Sequence, residues 1–272
     1  MFDSNHFTLH IFPESFRAKV IDTIGRAHFA CVISDSTGNT RLARRLLVSE
    51  FIRTAIDLPD IVHFINKLVK DLMKIAEFAE DIHVVHHTIS AFHGSHSSFA
   101  ELKSAHARHQ ISRSLEVIGK TRFATLVLSS VSVQCLIPAI KDVILNKPDS
   151  FDTISEYYQP PPSRKTANFE FGLSQLISVG LPATKALACL EAVEATPADV
   201  YVFWHTIVRA TKDALNDPRN EYNDTIKQKV IVILNSRTNK LLGDGDIATG
   251  AYLAAAYLNK SNKSSFYFIH FI

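Results

Sequence analysis

The stretch FACVISDSTGNTRLARR, residues 29–45, places a single carboxylate, Asp35, directly after an apolar run. A polar turn from Ser36 to Thr40 then leads into a basic segment. Acids at the carboxyl ends of sheet strands lie where α/β folds build their sites. Asp35 therefore has three interpretations: a Mg²⁺ ligand in an acidic cluster, part of an anion-binding helix N-terminus, or a turn-forming residue that bonds loop amides.

The third interpretation is the commonest role for an aspartate in this position. The anion-binding interpretation is the weakest, because the turn contains one glycine and no GxxxxGK[ST] pattern. A lone carboxylate also binds Mg²⁺ poorly, since the ion keeps most of its water molecules.

Basic side chains recur at positions suited to phosphate contact. Arg44 and Arg45 lie with Arg41 on the predicted polar ridge of the helix after Asp35. On the following helix, His63, Lys67 and Lys70 share one side with Lys74. A later segment has Arg122 with further bases that outnumber the nearby acids, namely Lys103, Arg108, Arg113 and Lys120. Such stripes contact nucleic-acid phosphates in some proteins and are plain solvated faces in most.

Metal-binding cysteine and histidine patterns are weak. The three cysteines, Cys31, Cys135 and Cys189, form no CxxC pair, which excludes a zinc knuckle and indicates a reducing compartment. His83, His86 and His87 have helical spacing that suits zinc, but no cysteine completes the set. A polar helix face is the favoured interpretation of these three histidines.

Composition indicates a globular chain of 272 residues with 46% hydrophobic and 21% charged residues. A net charge of +2 gives no global basic field, so any nucleic-acid contact must be local. The start, MFDSNHFTLHIF, has no basic region followed by an apolar core, so no secretory signal is expected. Apolar runs such as residues 251–258 are shorter than the roughly 20 residues of a membrane helix, and no membrane partner is expected.

Periodicity predicts helix, strand, helix, strand, helix over residues 14–72 and helices almost throughout the remainder. Gly25 ends the first helix, residues 29–35 form a buried strand, and residues 55–58 form a short second strand. Asn39 or Thr40 caps the second helix, whose apolar face is Leu42, Leu46, Leu47 and Phe51. Asp60 caps the third.

The fold class predicted is α/β plus α. Residues 1–61 form a partial α/β unit, and residues 62–272 form a mostly helical region with a proline-rich loop near 146–166. Two strands would leave sheet edges open, so the sheet is expected to be completed by the C-terminal residues or by a partner, or else the domain is incomplete. The final residues, within 260–272, fit either a buried last strand or sequence that follows a truncated or mis-spliced end near Asn259, and we favour the second.

Several ordered segments resemble hAT-type transposase-like proteins of fungi. They are SDSTGNTRLARRLL, IDLPDIVHFINKLVKD, LEVIGKTRFATL, TPADVYVFW and AYLAAAYLN, spread over about residues 14–259. The resemblance implies an RNase H-like catalytic unit interrupted by a helical insertion. It also implies metal-dependent DNA strand cleavage and joining by a triad of two aspartates and a glutamate.

The resemblance assigns roles residue by residue. Asp35 matches the second aspartate of the triad, whereas Asp3 and Asp22 do not match the first. The family's Ser-Glu-Arg motif is missing, since Ser49-Glu50 is followed by Phe51, and its Cys-His pair is Val62-His63 here. The Thr-Arg motif is intact as Thr121-Arg122. The N-terminal BED zinc finger and the C-terminal dimerisation segment have no counterpart.

Only one of the three expected acids is present, which implies a transposon-derived protein without catalytic activity. In this interpretation Asp35 is a relic of a metal site. Residual DNA binding is assigned to Arg122, Thr121, His63, Lys67, Lys70, Arg44 and Arg45. No cofactor is required, and Mg²⁺ is needed only if the chain is active. A helical protein–protein interaction module and an active transposase completed by another chain are the alternatives. No small-molecule substrate is expected. The resemblance implies a nuclear location; without the resemblance, a cytoplasmic location is expected.

Overall fold

A computed structural model describes residues 20–35, 38–119, 122–159, 162–192, 195–243 and 247–259. The described chain is mostly helical, with one two-stranded parallel sheet. The strands are β1, Cys31–Ser34, and β2, Ile56–Pro59. The helices are α1 (Gly38–Leu46), α2 (Ile61–Met73), α3 (Ala79–His93), α4 (His96–Arg108), α5 (Phe123–Asn146), α6 (Arg164–Leu190), α7 (Pro197–Asn216), α8 (Asp224–Leu242) and α9 (Ile247–Leu258).

The chain forms two compact units. The first comprises the described residues up to Phe64, Leu190–Trp204 and those from Ser236 onward, and the second comprises Ile65–Cys189 and His205–Asn235. The expected division at residues 61 and 62 lies close to the first of these boundaries. The two later segments of the first unit were not anticipated, because they are helical and distant in sequence.

Local signals place the sheet of the first unit. A helical turn, Asp22–Ile24, ends at Gly25, whose φ of 88° suits glycine, as expected. The strands pair in parallel register, Cys31 with Ile56 and Ser34 with Pro59. The expectation of a buried strand over residues 29–35 is wrong in extent and burial, since Ile33 is 57% exposed. Each described strand has a single strand neighbour, which leaves part of the sheet open.

Helix α1 differs from its predicted form. It already includes Gly38, so neither Asn39 nor Thr40 is its N-cap, and it continues as a π-helical turn, Leu47–Phe51. Its buried positions are Ala43, Arg44 and Leu47, whereas Leu42 is exposed. The buried face therefore differs from the expected apolar face, since Arg44 of the expected polar ridge lies inside and Leu42 lies outside.

Aromatic contacts join the three segments of the first unit. Trp204 is fully buried, its ring centroid lies 5.6 Å from that of Phe64, and its Nε1 donates to Oγ1 of Thr238 at 3.3 Å. The guanidinium of Arg237 lies 5.5 Å from the centroid of the Phe64 ring. Helix α9 packs against β2. Residues more than 130 positions apart therefore share one core.

The second unit is a helical bundle in which α3, α4 and α5 contact one another. Its core includes Leu68 and Leu72 of α2, Phe92 of α3 and Leu136 of α5. Helix α5 continues through Pro138.

The proline-rich segment 146–166 is not an open linker. Its described part contains two 3₁₀ turns, Pro148–Ser150 and Ser155–Tyr157, and buries Phe151, Ile154 and Tyr158. The hydroxyl of Tyr158 lies 2.9 Å from that of Thr88, and burial raises the pKa of this phenol. Aromatic side chains between the prolines anchor the segment in the core, because burial of each ring removes a large apolar surface from water.

One carboxyl group lies inside the second unit at a close helix contact. Asp81 of α3 is 8% exposed, and its carboxyl group contacts the backbone of α6 at Gly172, where a Cβ atom would overlap it. Burial, together with the charge of Glu80, raises the pKa of Asp81 to about 7. The neutral acid is therefore the form that suits this contact.

We predict that Asp81 makes the second unit less stable as pH rises. The ordinary pKa of the group is 3.8 and the folded-state value is about 7, so the folded state holds an extra proton between these values. The free energy of unfolding then falls by an amount on the order of 2–4 kcal/mol between about pH 4 and pH 7. Above about pH 7 this contribution no longer changes with pH. Asp81→Asn should remove the slope and be more stable than the wild type at pH 8, in urea unfolding followed by far-ultraviolet circular dichroism.

The exposed Asp152 supplies the control, since Asp152→Asn should keep the wild-type slope. An unchanged slope in Asp81→Asn would show that this carboxyl group is not the cause.

Candidate functional site

Two carboxylates lie at the carboxyl ends of β1 and β2, and a third lies within β2. Asp35 follows β1 directly, Asp57 is the second residue of β2, and Asp60 follows β2. The backbone N–H of Asp60 donates to the carbonyl of Ser34 at 3.1 Å, which extends the pairing of the strands to this edge. The position is the one predicted for Asp35, and it contains two further acids.

Arg44 is the centre of this edge. Its side chain is 5% exposed and its Nε donates to Oδ1 of Asp57. Its Nη1 donates to the carbonyl oxygen of Ser34 at 2.7 Å and to Oγ of the same residue at 2.9 Å. One guanidinium thus joins α1, β1 and β2. The predicted exposed ridge is wrong for Arg44, which is not open to a phosphate.

Arg45 remains on the surface beside this pair. Its side chain is exposed, and its Nε lies 3.9 Å from Oδ2 of Asp57. Asp57 therefore has an arginine near each carboxylate oxygen. Sequence reasoning missed Asp57; the available signal was an acid inside the short apolar strand AIDLP.

Asp35 and His63 lie together, although the sequence analysis treated them separately. Nε2 of His63 is 2.8 Å from Oδ1 of Asp35. Both atoms are shielded from solvent, and neither has a hydrogen bond of normal geometry within the described residues. The contact is therefore close but poorly directed for a hydrogen bond.

The turn after β1 uses the backbone of Asp35 as well. Oγ1 of Thr40 donates to the Asp35 carbonyl at 2.6 Å, and Oγ of Ser34 donates to it at 3.2 Å. Asp35 thus accepts these two hydrogen bonds through its backbone carbonyl, which differs from the expected role of a carboxylate that bonds loop amides. Its carboxylate contacts an imidazole rather than loop amides in the part of the turn that is described.

Asp60 is a helix cap, as predicted. Its Oδ1 accepts a hydrogen bond from the backbone N–H of His63, the third residue of α2, at 3.1 Å. His63 therefore donates to Asp60 through its backbone, while its ring contacts Asp35.

All three carboxylates at this edge have basic or N–H partners from the chain itself. Among the described residues no group of three histidine, cysteine, aspartate or glutamate side chains could hold a metal ion. This holds for Asp35, the predicted weak Mg²⁺ ligand, and for His83, His86 and His87. Burial and the charges of its two neighbours lower the pKa of His86.

The remaining predicted nucleic-acid contacts lie in the second unit. Lys70 places its Nζ 5.0 Å from the centroid of the Phe123 ring. Arg122 is exposed and directly precedes α5, and Lys67 is half-buried on α2. Thr121 lies outside the described residues, as do Lys120 and residues 260–272.

Ion pairs neutralise much of the predicted basic excess near Arg122. Arg108 contacts Asp142 at 2.7 Å, and Arg113 contacts Glu116 at 2.6 Å. These two bases therefore belong to local ion pairs.

Comparison with protein-family models, curated proteins and solved structures finds no match to this chain.

Two helices meet the length and apolarity of a membrane span, contrary to the expectation from short apolar runs. They are α5 and α6, and 56% and 61% of their most apolar windows is buried inside the protein. Core helices have the same properties, and the described residues show no membrane-spanning architecture.

We predict that Arg44 stabilises the first unit and Arg45 does not. Arg44→Gln removes the buried charged partner of the Asp57 carboxylate and leaves only the exposed Arg45 beside it. This variant should lower the free energy of unfolding by about 2–4 kcal/mol. Arg45→Gln removes an exposed pair and should cost less than about 0.5 kcal/mol. Trp204, the single tryptophan, lies in the first unit, so its fluorescence during urea unfolding measures this unit.

A double variant, Arg44→Met with Asp57→Leu, should recover most of the loss, because it leaves no unpaired charge. Equal effects of Arg44→Gln and Arg45→Gln would contradict the proposed role of Arg44.

Proposed function

We propose that the chain is a hAT transposase-derived protein that has lost strand cleavage and keeps a weak nucleic-acid contact. The loss of strand cleavage is supported by the partners of the three carboxylates: His63 lies beside Asp35, Arg44 donates to Asp57, and a backbone N–H donates to Asp60. The second half is supported by the side chains of Lys67, Lys70 and Arg122.

Strand cleavage of the two-metal type needs several carboxylates that converge on a pair of cations. Here the guanidinium of Arg44 lies at the junction of the two strands and neutralises Asp57. A cation placed at this edge would meet a fixed positive charge, and the carboxylates would have to leave their present partners. In this proposal β1, α1 and β2 are the remaining part of an RNase H-like unit, and Asp35 is its surviving acid.

Nucleic-acid contact in this proposal comes from the second unit. Lys67 and Lys70 lie three residues apart on α2, and Arg122 precedes α5 close in sequence to Phe123, the ring that Lys70 contacts. A few cations of this kind bind phosphates without sequence preference, and they release counterions. Weak, salt-sensitive binding is the expected result.

We predict that Lys70→Ala and Arg122→Ala each weaken binding to a duplex DNA about three- to ten-fold at low salt and reduce the slope of log affinity against log salt by about one. Lys212, an exposed lysine of α7, provides the matched control, Lys212→Ala. Gel-shift titrations at several salt concentrations measure both quantities.

A nicking assay with Mg²⁺ or Mn²⁺ on the same DNA tests the loss of cleavage, with Asp35→Ala alongside. Cleavage that disappears in Asp35→Ala would mean an active transposase whose missing acids come from another chain. An absence of DNA binding at any salt concentration would remove the nucleic-acid half of the proposal.

A helical interaction module is a second candidate, and α9 favours it. Its side chains Leu253, Tyr257 and Leu258 are 46%, 71% and 74% exposed. Exposed apolar groups grouped on one helix are typical of an association surface.

If α9 mediates self-association, Leu253→Ser with Leu258→Ser should lower the mass measured by light scattering at high protein concentration. The control is Leu145→Ser on α5, where the side chain is 63% exposed. A wild-type chain that stays monomeric at every concentration would exclude self-association through α9.

A further inference from the structure

A small pocket of the second unit has no role in the proposed function. It lies between α4, the irregular segment 111–119 and α5, and we name it the Lys103 pocket. Its lining consists of Phe99, Leu102, Lys103, His106, Ser114, Leu115 and Leu136. Its volume is about 270 Å³, below the roughly 300–1,000 Å³ of sites for drug-sized ligands.

The floor of the pocket is apolar. Leu102, Leu115 and Leu136 are buried beneath it, while Phe99 remains 41% exposed at its side. An exposed ring next to buried leucines leaves apolar surface in contact with water, and a compact apolar group would cover it favourably.

The polar side of the pocket is cationic and contains no acid. Lys103 is exposed and has no ion pair within the described residues, and Ser114 is exposed beside it. Neighbouring bases are paired: Lys147 with Glu101 and Arg108 with Asp142. Lys103 is therefore an uncompensated positive charge at the rim of an apolar pocket.

His106 adds an unsatisfied polar atom. Its Nε2 is shielded from solvent and has no hydrogen-bond partner within the described residues. A buried polar nitrogen without a partner costs free energy, which a ligand oxygen within hydrogen-bond distance of it would recover.

We infer that the Lys103 pocket binds a small organic anion, a carboxylate joined to a compact apolar body such as one aromatic ring. The ring covers Phe99 and the leucines, and the carboxylate lies between Lys103, Ser114 and His106. This inference does not involve Lys67, Lys70 or Arg122. Ligand binding at the Lys103 pocket and the proposed nucleic-acid contact can therefore fail independently of each other.

Titration of ¹⁵N-labelled protein with 3-phenylpropionate, followed by amide NMR shifts, tests the inference. We expect saturable shifts at residues 102, 103, 114 and 115 with a dissociation constant in the low millimolar range, as for a ligand of this size. Acetate lacks the apolar body and 3-phenylpropan-1-ol lacks the charge, so each should bind more weakly.

Two variants assign the contacts. Lys103→Gln should weaken 3-phenylpropionate binding about three- to five-fold, as for an exposed ion pair, without changing binding of the alcohol. Lys212→Gln is the matched control and should change neither. Ser114→Trp, at an exposed position, should block the pocket while the remaining amide spectrum shows an intact fold.

A second arm distinguishes the source of the carboxylate. N-acetyl-Ala-Phe carries the same group at a peptide C-terminus, and its amide is the control. Tighter binding of the peptide acid than of 3-phenylpropionate indicates a protein tail as the ligand, and the reverse indicates a free acid. Absence of saturable shifts with both acids, or shifts that Lys103→Gln and Ser114→Trp leave unchanged, would overturn the inference.

Discussion

The buried guanidinium of Arg44 is the interaction on which the sheet of the first unit depends. A two-stranded parallel sheet has little hydrogen bonding of its own, and β1 and β2 exchange bonds over four residues each. Arg44 adds bonds from α1 to Ser34 on one strand and to Asp57 on the other. The charge is tolerable inside because a carboxylate and carbonyl oxygens surround it. Replacing the arginine thus affects both strands and the crossover helix at once.

The same contact decides what this edge of the sheet can do. Carboxylates at strand ends are suited to binding cations, but among the described residues Asp35, Asp57 and Asp60 do not form a group that could hold a metal ion. Each has a partner from the chain: the His63 ring lies beside Asp35, Arg44 donates to Asp57, and the backbone N–H of His63 donates to Asp60. Structural pairing and metal binding compete for the same oxygens, which is why the proposed loss of cleavage follows from how the sheet is held.

The second unit uses charge differently. Several of its surface bases are paired with nearby acids, as Arg108 is with Asp142, while Asp81 is buried against Gly172 as a carboxyl group favoured in its neutral form. Lys103 has no such pair within the described residues, and it lies above an apolar floor. Charges left uncompensated in such a surface are the ones available to a ligand.

Local sequence patterns predict the helices, the two strands, the stop at Gly25 and the cap at Asp60, because helical periodicity, glycine's access to positive φ and capping act over a few residues. The same patterns place Asp35 at a strand end. Tertiary contacts are needed to bury Arg44, to bring Asp35 against His63 and to anchor a proline-rich segment through Phe151 and Tyr158. Burial and pairing depend on which distant segments meet, as Trp204 and Phe64 do, and spacing along the chain carries no such information.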